Sequence, residues 1–252
     1  MVLLSLKKPY NSAFLSTTLE NKIEPVIFYD NFIATLIYKL RKTMKKLISI
    51  ISSLFLISIV SAKAEIGIGI SGAYHMIDAS GTEKTRQSGE VNNGSHDETV
   101  GVPEIFIEAI GEDGFAMGVS YIPTRDMGSK SRSDTNSEGD TGTYKAAAEL
   151  DNVIKVYADV PAGPVYVHLG VQHVTLVTLE SLNSGATYPN EDLYGMTIGL
   201  GMKGDLPYGN NLYYKGEVTY TDFEEYKGSG AANTVTADLD DTAVRFSVGY
   251  KF

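Results

Sequence analysis

Two glycine patterns, Gly67-x-Gly69-x-x-Gly72 and Gly199-x-Gly201-x-x-Gly204, have the spacing of a dinucleotide-binding loop. Such a loop needs a strand that ends at the first glycine and a helix that starts near the last, so that a pyrophosphate meets the helix N-terminus. Here an apolar/polar alternation runs straight through both patterns, which leaves them as glycines on one face of a strand. Asp134, Asn136, Glu138 and Gly139 imitate the opening of a calcium loop, but its twelfth place holds Lys145 instead of glutamate. They read as a solvated acidic loop. The histidines His75, His96, His168 and His173 include no pair at metal-ligand spacing on one face, since His168 and His173 differ by five and point to opposite sides of a strand. With no cysteine there is neither a thiolate nucleophile nor a disulfide framework. No catalytic residue, metal ligand or cofactor-binding residue is expected, and the chain does not read as an enzyme.

The elements that carry these residues are strands. From Glu65 onward no apolar stretch has helical spacing, and eight segments alternate with period two: 66–77, 100–110, 115–123, 143–160, 164–179, 192–203, 211–223 and 235–252. Long polar loops are expected at 79–99, 124–142, 180–191 and 224–234. Short turns are expected at 111–114, 161–163 and 205–210. On the first strand Ile66, Ile68, Ile70, Tyr74 and Met76 share a face opposite Gly67, Gly69, Ser71, Ala73 and His75. On the sixth, Tyr194, Met196, Ile198, Leu200 and Met202 oppose Gly195, Thr197, Gly199, Gly201 and Lys203.

Periodicity alone does not say which face is inside. The choice rests on charge: Glu104, Glu108, Lys145, Glu149, Lys155, Asp159, Lys215, Glu217, Arg245 and Lys251 carry both signs and can pair within a narrow interior. A basic residue among acyl chains at mid-depth would cost about 2–4 kcal/mol. Aromatic residues cluster near strand ends, which suggests two girdles: Tyr157, Tyr166, Tyr213, Tyr214, Tyr250 and Phe252 at one rim, and Tyr74, Tyr121, Tyr144, Tyr194, Tyr220 and Phe223 at the other. Two places break the pattern. Asn152 falls between Leu150 and Ile154 and calls for a bulge, and Pro103 interrupts the second strand unless it lies above the membrane.

The N-terminal part reads as an export signal. Met44, Lys45 and Lys46 precede a fourteen-residue apolar run ending at Val60, and the Ala62-x-Ala64 site places cleavage before Glu65. A run of that length falls short of the roughly twenty residues a transmembrane helix needs. Residues 1–43 are expected to be upstream sequence from a misplaced start, 44–64 a signal peptide, and 65–252 the folded unit. Residues 1–64 hold nine Lys/Arg and three Asp/Glu, so 65–252 keeps 12 basic and 28 acidic residues, a net charge of −16. Nucleic acid is not expected as a partner of such a surface.

The last nine residues place Val244, Phe246, Val248, Tyr250 and Phe252 on one side of a strand that ends on an aromatic residue. That ending resembles the closing strand of Gram-negative outer-membrane β-barrels, and with eight strands and alternating long and short connections the chain resembles the OmpA transmembrane domain and OmpX type. The resemblance implies an all-β, eight-stranded antiparallel up-and-down transmembrane barrel in the outer membrane, preceded by a signal peptide and without the OmpA peptidoglycan-binding domain. It also implies that Val248, Tyr250 and Phe252 are read by the barrel-assembly machinery after passage with periplasmic chaperones, and that the barrel is a monomer among lipid and lipopolysaccharide. Three functions compete: a structural or surface-interaction protein acting through its acidic loops, a narrow pore for small solutes, and a lipid A-modifying barrel. The pore is disfavoured because eight strands leave an interior that side chains just fill. The deacylase type of barrel enzyme carries His-x-Ser on one strand face, and none of the four histidines has serine two places on.

Overall fold

The computed structural model describes residues 64–85, 89, 91–134, 142–181, 187–207, 211–230 and 233–252. The expected extension 1–43 and all but the last residue of the expected signal peptide lie outside them. Ten strands follow in order: β1 Glu65–Thr85, β2 Val91–Ile110, β3 Ala116–Ile122, β4 Arg125–Asp134, β5 Gly142–Ala162, β6 Val165–Thr178, β7 Glu191–Asp205, β8 Leu212–Phe223, β9 Tyr226–Ser229 and β10 Asn233–Lys251. They build eight walls, because β3 and β4 pair in succession with β5 while β8 and β9 pair in succession with β10. All pairs are antiparallel and join neighbouring walls, and β1 pairs with β10 from Gly67↔Lys251 to Thr85↔Asn233, which closes the sheet. Phe252 N donates to Ile66 O at 2.9 Å, so the last residue is tied to the first strand.

Closure pairs the walls around the lower part of the ring, while above Ile105 β2 and β4 keep facing edges with no ladder between them. The turns at the lower end are short for local reasons. Gly114 takes φ +82° and donates to Gly111 O at 2.9 Å, while Asp113 accepts from Phe115 N; Gly163 takes φ +72°. The glycine patterns at this end have a packing cause. A Cβ at Gly67 or Gly249 would collide with the Tyr213 ring, one at Gly118 with Tyr157, and one at Gly201 with Tyr166. Lumen glycines therefore make room for lumen tyrosines.

At the upper end the structure departs from the sequence reading. Three of the four expected long loops are largely strand: β1 and β2 run on through 79–99 to Thr85 and from Val91, β4 occupies most of 124–142, and β9 lies within 224–234. About 9–11 residues suffice for a strand to cross a bilayer, so the 21 residues of β1 and 20 of β2 stand well above it. Their polar, β-compatible sequence had been read as loop because it lacks apolar alternation. Tertiary pairing overrides that weak local signal.

Asn152 has φ +53° at a register shift between Asp151 and Ile154, which is the bulge the broken alternation calls for. Pro103 is not above the membrane. It pairs with Gly72 and faces outward, level with the middle of β1's apolar face. It is accommodated because the β2–β3 ladder ends at Ile105↔Tyr121, so Pro103 lies on an edge stretch of β2, where proline is tolerated. Above it β2 and β4 meet through side chains: Lys130 Nζ donates to Ser95 O at 2.8 Å, and Gly128, at φ +79° in a β4 bulge, sits against Glu98 and His96.

Candidate functional site

The outer face of the lower two-thirds is apolar and exposed: Ile68, Ile70, Tyr74, Ile105, Ile107, Tyr121, Ile154, Leu169, Ile198, Leu200, Val218, Val244 and Phe246 ring the barrel. Ile70 is 67% exposed and Phe246 60%. Inside the same height lies the inverse set, since Glu104, Glu108, Lys155, Asp159, Lys215, Glu217, Asp241, Arg125, Arg245, His75 and His168 are all buried. Burying these charges while exposing those side chains would be costly in water. Both are met if hydrocarbon surrounds the wall. The chain is a transmembrane β-barrel of the outer-membrane type.

The barrel's lumen is built in three layers. The lowest joins Tyr213, Tyr157, Glu108, Lys215, Asp159, His168 and Glu217. Tyr213 and Tyr157 hydroxyls donate to the two oxygens of Glu108 at 2.8 and 2.7 Å, and Lys215 Nζ bridges Glu108 at 3.0 Å and Asp159 at 2.6 Å. The ammonium also sits 4.9 Å from the Tyr157 ring centroid. His168 Nδ1 lies 2.7 Å from Asp159 Oδ1 and 3.0 Å from Glu217 Oε1. In the middle layer Arg245 lies 2.9 Å from Glu104 and 3.5 Å from Glu217, and Lys155 lies 3.7 Å from Glu104. The upper polar layer places Asp241 between His75 at 2.8 Å and Arg125 at 3.1 Å, with Gln172, Thr197 and Thr221 hydrogen-bonded beside it.

Above these layers the interior changes character. Ile77, Val102, Ile122, Met127, Leu150, Val153, Val174, Leu176, Leu193, Phe223, Tyr226 and Leu239 form one buried apolar cluster. The outward neighbours of several are acidic: Asp78, Asp222 and Asp240 flank Ile77, Phe223 and Leu239. The barrel is thus inside-out only where lipid touches it, and above the membrane it is apolar within and polar without. Tyr226 caps this cluster and donates to Pro189 O at 2.9 Å. Burial, and next Glu180 and Glu191, push its phenol up to about 12, so it keeps its proton at any physiological pH.

Of the ten charged residues expected in the lumen, the structure brings together Glu104, Glu108, Lys155, Asp159, Lys215, Glu217 and Arg245. Lys251 stands at the lower rim, paired with Asp205 at 2.9 Å and Glu65 at 3.7 Å. Lys145 and Glu149 are outside it: Lys145 is exposed above the membrane opposite Ser131, and Glu149 faces away from inward Leu150, because the bulge at Asn152 resets the alternation. His75, Arg125, His168 and Asp241 were missed. Arg125 fell in the expected loop 124–142, whereas Asp241, His168 and His75, the last already set opposite the apolar face of its strand, fell in expected strands where inward alternation was a signal that could have placed them. The girdle assignments of Tyr157, Tyr166, Tyr213 and Phe223 are also corrected. All four point inward and are buried, the tyrosines over lumen glycines and Phe223 in the apolar cluster. Tyr74, Tyr121, Tyr220, Tyr250 and Phe252 are exposed on the outer face, and Val248 points the same way. The expected cleavage site leaves Ala64 just before β1 and Glu65 as its first residue.

Solved structures similar to this chain include outer-membrane proteins. The outer membrane protein OprG of Pseudomonas aeruginosa is similar at 15% identity and a TM-score of 0.48, over 75% of this chain and 97% of that one. The outer membrane protease OmpT of Escherichia coli is similar at 10% and 0.41, over 75% and 97%, and the attachment invasion locus protein Ail of Yersinia pestis at 11% and 0.36, over 75% and 99%. No family model and no curated relative matches the chain. At such identities no residue's role passes from those proteins to this barrel.

Lipid contact makes a prediction. Ile198→Arg, at a β7 position 57% exposed within the apolar band, is expected to destabilise the barrel in lipid vesicles by about 2–4 kcal/mol, read from urea unfolding. A neutral substitution would mean that this face meets water.

Proposed function

We propose that the protein is a closed, monomeric barrel of the Gram-negative outer membrane whose role is structural or surface-interactive and lies in its extracellular strand extensions and loops. One observation carries this reading: the lumen is filled. Within the polar layers, the cavity bounded by Glu104, Lys155, His168, Lys215, Glu217 and Arg245 amounts to ≈ 10 Å³. That is about the room of one water. A vestibule of ≈ 510 Å³ opens at the lower rim between Glu65, Glu112, Lys203, Asp205, Tyr213 and Lys251, and the stacked layers lie above it. With side chains meeting across these layers, solutes are not expected to pass, and whatever the protein recognises would meet its extracellular end.

That end is strongly acidic. Asp97, Asp78, Asp240 and Asp222 fall in cross-strand register on β2, β1, β10 and β8, all on the outer face just above the apolar band. Like charges in direct opposition destabilise a sheet, which favours a use for them at the level of lipopolysaccharide headgroups. Val248, Tyr250 and Phe252, on the outward side of the terminal strand, fit the insertion signal read during assembly. Single-channel recording in planar bilayers tests the closed barrel. No steady conductance is expected from the wild type, and stable openings abolished by Glu217→Gln would replace this reading with a pore.

A further inference from the structure

We propose that Asp159, His168 and Glu217 form an internal cation site that takes one borderline divalent metal ion of the zinc class. The three residues come from β5, β6 and β8 and point into the lumen, and one ligand atom of each lies within 4.8 Å of the others. Two carboxylate oxygens converge on a single imidazole nitrogen, at 2.7 Å for Asp159 Oδ1 and 3.0 Å for Glu217 Oε1. Nδ1 carries at most one hydrogen, and the hydrogen bond it supports is with Asp159. With that hydrogen directed to Asp159, Glu217 Oε1, 3.0 Å from Nδ1 on a side chain only 3% exposed, receives none from the ring. An unpaired buried carboxylate oxygen is expensive, and a cation at the point of convergence would satisfy all three atoms at once.

The surroundings divide each carboxylate into an inner and an outer oxygen. Lys215 donates to Asp159 Oδ2 at 2.6 Å and Arg245 to Glu217 Oε2 at 3.5 Å, which orients both groups and leaves Oδ1 and Oε1 facing the imidazole. Such outer-shell bonds are how metal ligands are held. Tyr157 stacks on His168 with ring centroids 5.1 Å apart and planes at 28°, fixing the ring. The small void beside His168 and Glu217 has room for about one water as a fourth ligand.

Charge is consistent with an additional cation. The buried Asp and Glu side chains are Glu104, Glu108, Asp159, Glu217 and Asp241, against buried Arg125, Lys155, Lys215 and Arg245. One negative charge is left over; a divalent ion carries this set to +1, as protons on both His75 and His168 would. Tetrahedral ligand bonds of about 2.0–2.2 Å require the two short separations to open by about 0.7 Å at Asp159 and about 0.4 Å at Glu217. An imidazole with two carboxylates suits zinc better than calcium or magnesium. No single strand carries two of these ligands, which is why sequence spacing gave no sign of them.

The test uses the full chain in detergent, refolded from urea after chelation, with and without micromolar zinc. Bound metal is measured by mass spectrometry after dialysis, and the unfolding midpoint by the band shift on unheated gels. About one equivalent per chain and a raised midpoint are expected. Both should be lost in His168→Gln and Glu217→Gln and kept in His75→Gln, whose ring lies in the separate Asp241 cluster. X-ray absorption of the zinc-loaded wild type, which needs no variant to fold, should show one imidazole nitrogen with oxygens. A wild type that retains no metal, binding unchanged in His168→Gln, or an oxygen-only shell would overturn the proposal and leave the triad a proton-held hydrogen-bond cluster.

Discussion

Arg245→Ala is expected to lower the unfolding free energy of the barrel by about 3–5 kcal/mol, the loss seen when one partner of a buried ion pair is removed. Arg245 is 5% exposed and serves two carboxylates, Glu104 at 2.9 Å and Glu217 at 3.5 Å. Without it Lys155, 3.7 Å from Glu104, is the remaining cation of the middle layer. The loss comes from stranding charge, not from removing a favourable contact, so the double variant Arg245→Met with Glu104→Gln should recover much of it. Urea unfolding in lipid vesicles, followed by the gel band shift because the chain has no tryptophan, measures both. Wild-type stability in the single variant would mean that the guanidinium is hydrated, and the sealed middle layer would have to be abandoned.

Phe223→Ala is expected to cost a similar amount, about 3–5 kcal/mol, for a different reason. The ring is fully buried over Gly195, where even a Cβ would sit 2.7 Å from it, and it fills the centre of the apolar cluster above the ion layers. Alanine leaves a cavity that closed walls cannot collapse to fill. Tyr220→Ala, three residues earlier on the exposed face of β8, is the control and should cost far less. Equal effects at the two positions would contradict the change from polar to apolar interior between the membrane and the space above it.

The strands β1, β2, β3, β5, β6, β7, β8 and β10 were legible because alternation ties each residue to a face, and one lipid-facing side makes that alternation strict. On the same alternation Glu104, Glu108, Lys155, Asp159, Lys215, Glu217 and Arg245 face inward and are buried. It failed at Lys145 and Glu149, since one bulge at Asn152 exchanges the faces of everything beyond it. It failed also for Tyr157, Tyr166 and Tyr213. A tyrosine near a strand end suits a membrane rim as well as a lumen, and only the glycines brought opposite by pairing decide between them.

Alternation, the terminal aromatic strand and the inventory of charges determined by themselves that this chain makes a closed barrel of eight walls with charge inside it. These are properties of period and composition, which each strand carries alone. Which charges meet, that Asp159, His168 and Glu217 share one point, that an apolar plug overlies the ion layers, and that the strands rise far past the bilayer were decided by tertiary structure. The reason is register: those relations link residues as far apart as His75 and Asp241, and cross-strand pairing fixes them through the whole ring at once.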